Sequence, residues 1–183
     1  MATPSVPGTL HRAQRVLVVG CAGSGKSTVA RTLAPRMGLP LIHLDRLFWH
    51  PGWVPTAQPE WEAVVSRLSA EPRWLIDGNY ARTLPIRLAR ADLVVWLDLS
   101  TATCLWRAIR RALRGRGRPR SDMAPGCPER LDLAFLRWVA GYRRRNRPAM
   151  LAWRRAAPAS QHWVTLRSPA EVDRFLAALG RQA

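Results

Sequence analysis

Lysine is almost absent. All but one of the 29 basic residues in this 183-residue chain are arginine, and the exception is Lys26. Arginine is a planar fork on a long stem, whereas lysine is a compact ammonium. A chain that uses lysine once has placed it where a fork will not fit. Acidic residues are also few, 12 in all, which leaves a net charge of +17. That charge favours anionic partners: nucleotides, nucleic acid or an anionic surface. A general bias toward arginine accounts for it equally well, because the arginines are spread along the chain. Cysteine is scarce and unpaired. Cys21, Cys104 and Cys127 form no Cys-x-x-Cys spacing, which excludes a disulfide scaffold and points to reduced thiols in the cytoplasm. No apolar run is long enough to span a bilayer, so no membrane partner is expected. Residues 1–14 lack the apolar segment of a secretory leader and read as a flexible tail. With 48% hydrophobic residues, the remainder, 15–183, suits a single domain.

The remaining pattern alternates strand and helix. Residues 15–19, 39–44, 73–76, 92–97 and 162–166 read as strands. Helices are expected over 27–37, 60–70, 84–90, 101–114, 131–145 and 169–179. The run Asp92-Leu93-Val94-Val95-Trp96-Leu97 is nearly all apolar, as in a strand covered on both faces. Five such strands predict an α/β three-layer sandwich around a parallel sheet, with ligands beyond the carboxyl ends of the strands.

Lys26 lies in Gly20-Cys21-Ala22-Gly23-Ser24-Gly25-Lys26-Ser27, between the first strand and the first helix. This is the Walker A pattern. Gly20, Gly23 and Gly25 let backbone amides turn inward on a phosphate, Ser24 completes the loop, and the helix adds its positive end. Lys26 is expected on the β- and γ-phosphates, Ser27 on Mg²⁺, and Thr28 on a further phosphate oxygen. Asp45 and Asp77 end the second and third strands beside this loop. With Ser27, Asp45 is the expected Mg²⁺ residue, directly or through water, with Asp77 the alternative, and the other carboxylate can take a proton from an attacking hydroxyl. Either can equally cap the element that follows it. Asp98, before Leu99-Ser100, reads as a helix cap.

Gly20–Ser27, His43-Leu44-Asp45, the aromatic stretch from Leu47 through Phe48, Trp49 and Pro51 to Trp53, and Ile76-Asp77-Gly78-Asn79-Tyr80 together resemble the adenylate-kinase-like P-loop proteins. The finer resemblance is to the bacterial group labelled "DNA topology modulation proteins". It covers roughly residues 15–179. Asn79-Tyr80-Ala81 replaces the Phe-Pro of the adenylate kinase Asp-Gly-Phe-Pro-Arg stretch, which argues against AMP as acceptor. The resemblance implies a P-loop NTPase fold, ATP with Mg²⁺, and a short basic lid over about 114–130. It also implies lid arginines that close over the transferred group, and one of Arg143 and Arg144 reaching the phosphates.

On the acceptor side, Trp49, Trp53 and Tyr80 offer a stacking platform or, equally, a plug that holds a loop down. Arg82 and Arg87 follow at distances suited to an acceptor phosphate. Arg107, Arg110, Arg111 and Arg114 share one helix, and Arg116, Arg118 and Arg120 follow in a Gly/Pro-rich loop. Arg110, Arg114 and Arg120 are the expected phosphate contacts. A zinc-bearing lid is excluded, since only Cys127 falls in the loop. The leading expectation is a Mg·ATP-dependent phosphotransferase of the nucleoside/nucleotide kinase-like class acting on a small acceptor. If the acceptor is a hydroxyl, Asp45 is the base. The alternatives are an ATP-binding, nucleic-acid-associated regulator and a metabolite or antibiotic kinase on the same fold.

Overall fold

The computed structural model describes residues 12–115, 117 and 121–180. The expected arginines Arg116, Arg118 and Arg120, and residues 1–11 of the expected tail, lie outside the described residues. The elements, in chain order, are β1 (Arg15–Gly20), α1 (Lys26–Met37), β2 (Leu41–His43), α2 (Leu44–Phe48), β3 (Trp49–His50), β4 (Val54–Pro55) and α3 (Gln58–Ala70). They continue as β5 (Trp74–Asp77), α4 (Leu84–Leu88), β6 (Leu93–Leu97), α5 (Thr101–Arg114), α6 (Leu133–Ala156), β7 (His162–Leu166) and α7 (Pro169–Gly180).

The five long-range strands form one parallel sheet in the order β2-β5-β1-β6-β7. Strand β1 is central, and its apolar residues alternate between two cores because successive side chains leave opposite faces. Val16 and Val18 join Val29 and Leu33 of α1 and Phe175 of α7. Leu17 and Val19 join Trp61 and Val65 of α3 and Met150 of α6. Burial of four such side chains, at roughly 1.5–3 kcal/mol each, anchors β1 in the middle of the sheet. It delivers Gly20 to the carboxyl edge of the sheet in a fixed place.

Four boundaries differ from the sequence expectation. The tail is shorter than 1–14: Ala13 is buried, and Gln14 donates its amide to Asp92 and accepts from Trp74. Strand β2 stops at His43, so Asp45 sits in the first turn of α2 instead of at a strand end. The aromatic stretch is not one loop. It holds the end of α2 and the short antiparallel pair β3–β4. Helix α6 runs to Ala156, through Pro148, well beyond the expected end near residue 145. Proline removes one backbone donor, but Met150, Leu151 and Trp153 beyond it pack on the second core and carry the helix on.

Among the described residues, no helix is long and apolar enough to cross a membrane.

Candidate active site

The loop between β1 and α1 curls as a phosphate cradle. Gly23 has φ +80°, and a side chain there would run into the carbonyl oxygen of Cys104 on α5. Only glycine allows this turn to press against that helix. Gly25, at φ +94°, precedes α1, and the first turn of α1 carries no acidic residue, which leaves its positive end free for an anion. Ser24 is fully buried, with its hydroxyl unpartnered within the protein.

Two side chains outside the loop hold it. Asn79 clamps Gly20: its Oδ1 accepts from the Gly20 amide at 3.0 Å, and its Nδ2 donates to the Gly20 carbonyl. Arg107 Nη1 donates to the Ser24 carbonyl at 3.4 Å. Neither was singled out by sequence reasoning for this role, because each is distant in sequence and nothing local marks its partner.

Lys26 and Asp45 open on one cleft of about 730 Å³, shared with Trp49, Trp53, Asn79 and Tyr80. Asp45 is held by the Tyr80 hydroxyl, which donates to its Oδ1 at 2.6 Å. Burial, and then the adjacent Asp45, raise the Tyr80 pKa, so the phenol stays protonated and remains a donor. Tyr80 takes an unusual positive φ of 41° to reach this position. Asp77, by contrast, is buried and bound to His43, whose Nδ1 donates to Oδ2 at 2.9 Å. Its Oδ1 is buried and has no protein partner.

Arg87, expected at the acceptor, does not line the cleft. It is fully buried, and its guanidinium donates to the carbonyls of Gly78 at 2.8 Å, of Tyr80 at 3.1 Å, and of Asn79. Burial lowers its pKa to about 9, which still leaves it charged at neutral pH. It shapes the 78–80 loop from behind. Arg82 is exposed and lies outside the lining of the cleft.

The arginines of α5 also differ from expectation. Arg110 lies over the ring of Trp106, 5.0 Å from its centre, on the outward face. Arg107 takes the place beside the cradle that Arg110 was expected to fill. Arg114 is exposed in the last turn. Arg111 lines the cleft, with its Nε 3.1 Å from Glu129 Oε1. Thr28 is exposed on α1. Neither Arg143 nor Arg144 lines the cleft with Lys26; Arg145 does. Arg143 and Arg147 instead donate to buried Asp98, at 3.2 and 2.8 Å. The cap of α5 is Ser100, whose hydroxyl accepts from the Thr103 amide. Asp98 therefore ties α6 to the sheet.

The opposite wall of the cleft comes from α6. Phe135, Trp138 and Tyr142 project from one face at i, i+3 and i+7. That spacing is present in the sequence, where nothing distinguishes it from an ordinary core stripe. The connection before α6 packs on the aromatic stretch: Met123, Ala124 and Cys127 bury against Trp49 and Trp53. Gly52 donates to the Gly126 carbonyl at 2.9 Å, and Trp53 Nε1 donates to the Pro128 carbonyl at 3.2 Å. The described part of the segment expected to form a lid is thus fastened to the β3–β4 hairpin.

A parallel sheet with a glycine-rich cradle at the end of its central strand, a lysine in it, and a carboxylate across the same cleft defines the P-loop kinase class. No family model matches the chain. A shikimate kinase of Symbiobacterium thermophilum is 32% identical over 144 residues, covering 70% of this chain and 78% of that protein. The shikimate kinase of Acinetobacter baumannii, solved with shikimate, superposes with a TM-score of 0.58 at 18% identity, over 96% of this chain and 95% of that one. A gluconokinase of Sinorhizobium meliloti 1021 superposes at 0.51 and 19% identity, over 93% of both chains. The chain belongs to the shikimate kinase family of P-loop kinases. It is an ATP-dependent phosphotransferase with a small-molecule acceptor.

Proposed function

We propose that the chain transfers the γ-phosphoryl group of Mg·ATP to a hydroxyl of a small acceptor, with Asp45 as general base. The observation that carries this reading is that Lys26 and Asp45 face one cleft, with the Asp45 carboxylate steadied by Tyr80. The cradle amides and Lys26 hold the β- and γ-phosphates and draw off the charge that builds up during transfer. The acceptor oxygen forms a bond to the γ-phosphorus. The bond from that phosphorus to the bridging oxygen breaks, and its electron pair leaves on ADP. The hydroxyl proton passes to the free oxygen of Asp45.

The residues fit Mg²⁺. Among the described residues no cluster of three or more His, Cys, Asp or Glu could hold a metal alone. The hydroxyl of Ser27 and the unpartnered, buried Oδ1 of Asp77 are the hard oxygen donors that Mg²⁺ takes, together with water and phosphate. When bound, the ion neutralises phosphate charge. His43 orients Asp77 for that role. The three buried, unpaired cysteines suit the cytoplasm, where ATP is abundant.

The test is phosphorus NMR of Mg·ATP with a panel of nucleosides, monophosphates and small polyols. Lys26→Ala should abolish transfer and leave far-UV circular dichroism unchanged. Asp45→Asn should lower kcat about 10²–10⁴-fold with little change in ATP binding. Wild-type turnover in either variant overturns the assignment.

A second reading, a nucleic-acid-associated regulator like the topology-modulation group, draws on one further feature. A groove of about 530 Å³ along the outer face of α6 is lined by Arg143, Arg144, Arg147 and Arg155. A gel-shift titration at several salt concentrations tests it. A steep salt slope with no preferred sequence would mean polyelectrolyte attraction only.

A further inference from the structure

The acceptor end of the cleft has two aromatic walls. Trp49 and Trp53 meet edge to face, 5.5 Å apart at 71°. Across from them on α6, Phe135 and Trp138 stack at 6.1 Å and 16°. Trp138 is 41% exposed, a large apolar surface left open on the side of the helix that faces the site. Aromatic surface facing a polar catalytic centre has a cost in water unless something flat covers it.

Two of the arginines at this end meet carboxylates. Arg111 meets Glu129 at 3.1 Å. Arg130 meets Asp132 at 3.6 Å and lies over the Trp53 ring. Arg145 donates to the Trp138 carbonyl at 2.6 Å. Lys26 belongs to the donor phosphates. Arg145, whose hydrogen bond is to a main-chain carbonyl, keeps donors that a polar substituent of the acceptor can use. The walls themselves offer ring faces, and the Trp53 indole N–H is spent on the Pro128 carbonyl, so this part of the cleft suits a flat apolar group.

We infer that the acceptor is an alcohol carrying a planar aromatic ring, the ring held between the Trp49/Trp53 and Phe135/Trp138 walls and the hydroxyl presented to Asp45. This rests on the phosphotransferase reading above. The walls select and position the acceptor, and the chemistry at the hydroxyl is that already given, with the proton going to Asp45 and the leaving electron pair to ADP.

The test is ADP-release kinetics on the full chain with Mg·ATP. The probes are adenosine, uridine and 2-phenylethanol against glucose, shikimate and gluconate. At least one aromatic alcohol should exceed all three non-aromatic probes about tenfold or more in kcat/KM. Trp138→Leu, at an exposed position that leaves the fold intact, should raise the KM of that alcohol about fivefold to tenfold. It should leave the KM for Mg·ATP unchanged, and Trp138→Phe should restore most of the loss. Preference for shikimate, gluconate or glucose overturns the inference while leaving the kinase reading in place, as does an unchanged KM in Trp138→Leu. Transfer to none of the six probes overturns both.

Discussion

Arg87→Met separates two roles for one arginine. If Arg87 gripped the acceptor, the variant would fold normally and lose only acceptor affinity. The structure instead buries the guanidinium completely and spends it on the Gly78, Asn79 and Tyr80 carbonyls, with a longer contact of 3.4 Å to Thr83. Methionine fills much of the volume but offers no donor. Three carbonyls then lose a charged partner in a place water reaches poorly. At about 1–3 kcal/mol for each unsatisfied group, less the desolvation cost of the charge that is no longer buried, the loss is about 3–5 kcal/mol. For a chain of this size that is a fall of roughly 6–20 °C in Tm. Urea unfolding followed by tryptophan fluorescence reads it directly. Arg87→Lys should recover part of the loss, because one ammonium cannot span three carbonyls. A Met variant within about 1 kcal/mol of wild type, with a raised acceptor KM, would refute the reasoning and return Arg87 to the acceptor site.

Asn79→Ala removes both hydrogen bonds to Gly20 and should weaken ATP binding about tenfold by calorimetry while costing only about 1–2 kcal/mol in urea unfolding; unchanged ATP affinity would mean the cradle holds its shape without the clamp. Ser100→Ala removes the cap of α5 and should cost about 1 kcal/mol in thermal unfolding with normal turnover. For Asp92, burial raises the carboxyl pKa, but the Arg15 side chain and the Gln14 and Arg15 amides outweigh it and leave it below the usual value. A depressed folded pKa contributes stability above the unfolded value, near about 4. That contribution disappears as pH falls through the folded value. Asp92→Asn should therefore lower Tm at pH 7, and the difference from wild type should close as the pH falls below the depressed folded value. Because Asp92 and Arg15 are partly exposed, salt screening should shrink the gap.

The parallel sheet, the cradle and the placing of Lys26 were legible in the sequence because each depends on neighbours in the chain. The apolar run of β1 must be a buried strand. The glycines that follow it must turn. The lysine then begins a helix, and α5 appears with its expected bounds. Short-range chemistry decides all of these. What tertiary structure alone decided is which of many similar side chains meets which partner. The chain offers arginines at 87, 107, 110, 111, 143 and 145, all plausible by sequence, and a turn of helix or a degree of burial assigns them differently. Arg87 turns inward beneath a loop, Arg107 meets the cradle, Arg110 faces away on Trp106, and Arg143 belongs to Asp98. Likewise Trp49 and Trp138 lie far apart in the chain, and neither residue records that the fold will set them on one cleft. Local periodicity fixes the direction a side chain leaves its own helix or strand. Only the packing of elements against one another decides what it finds there.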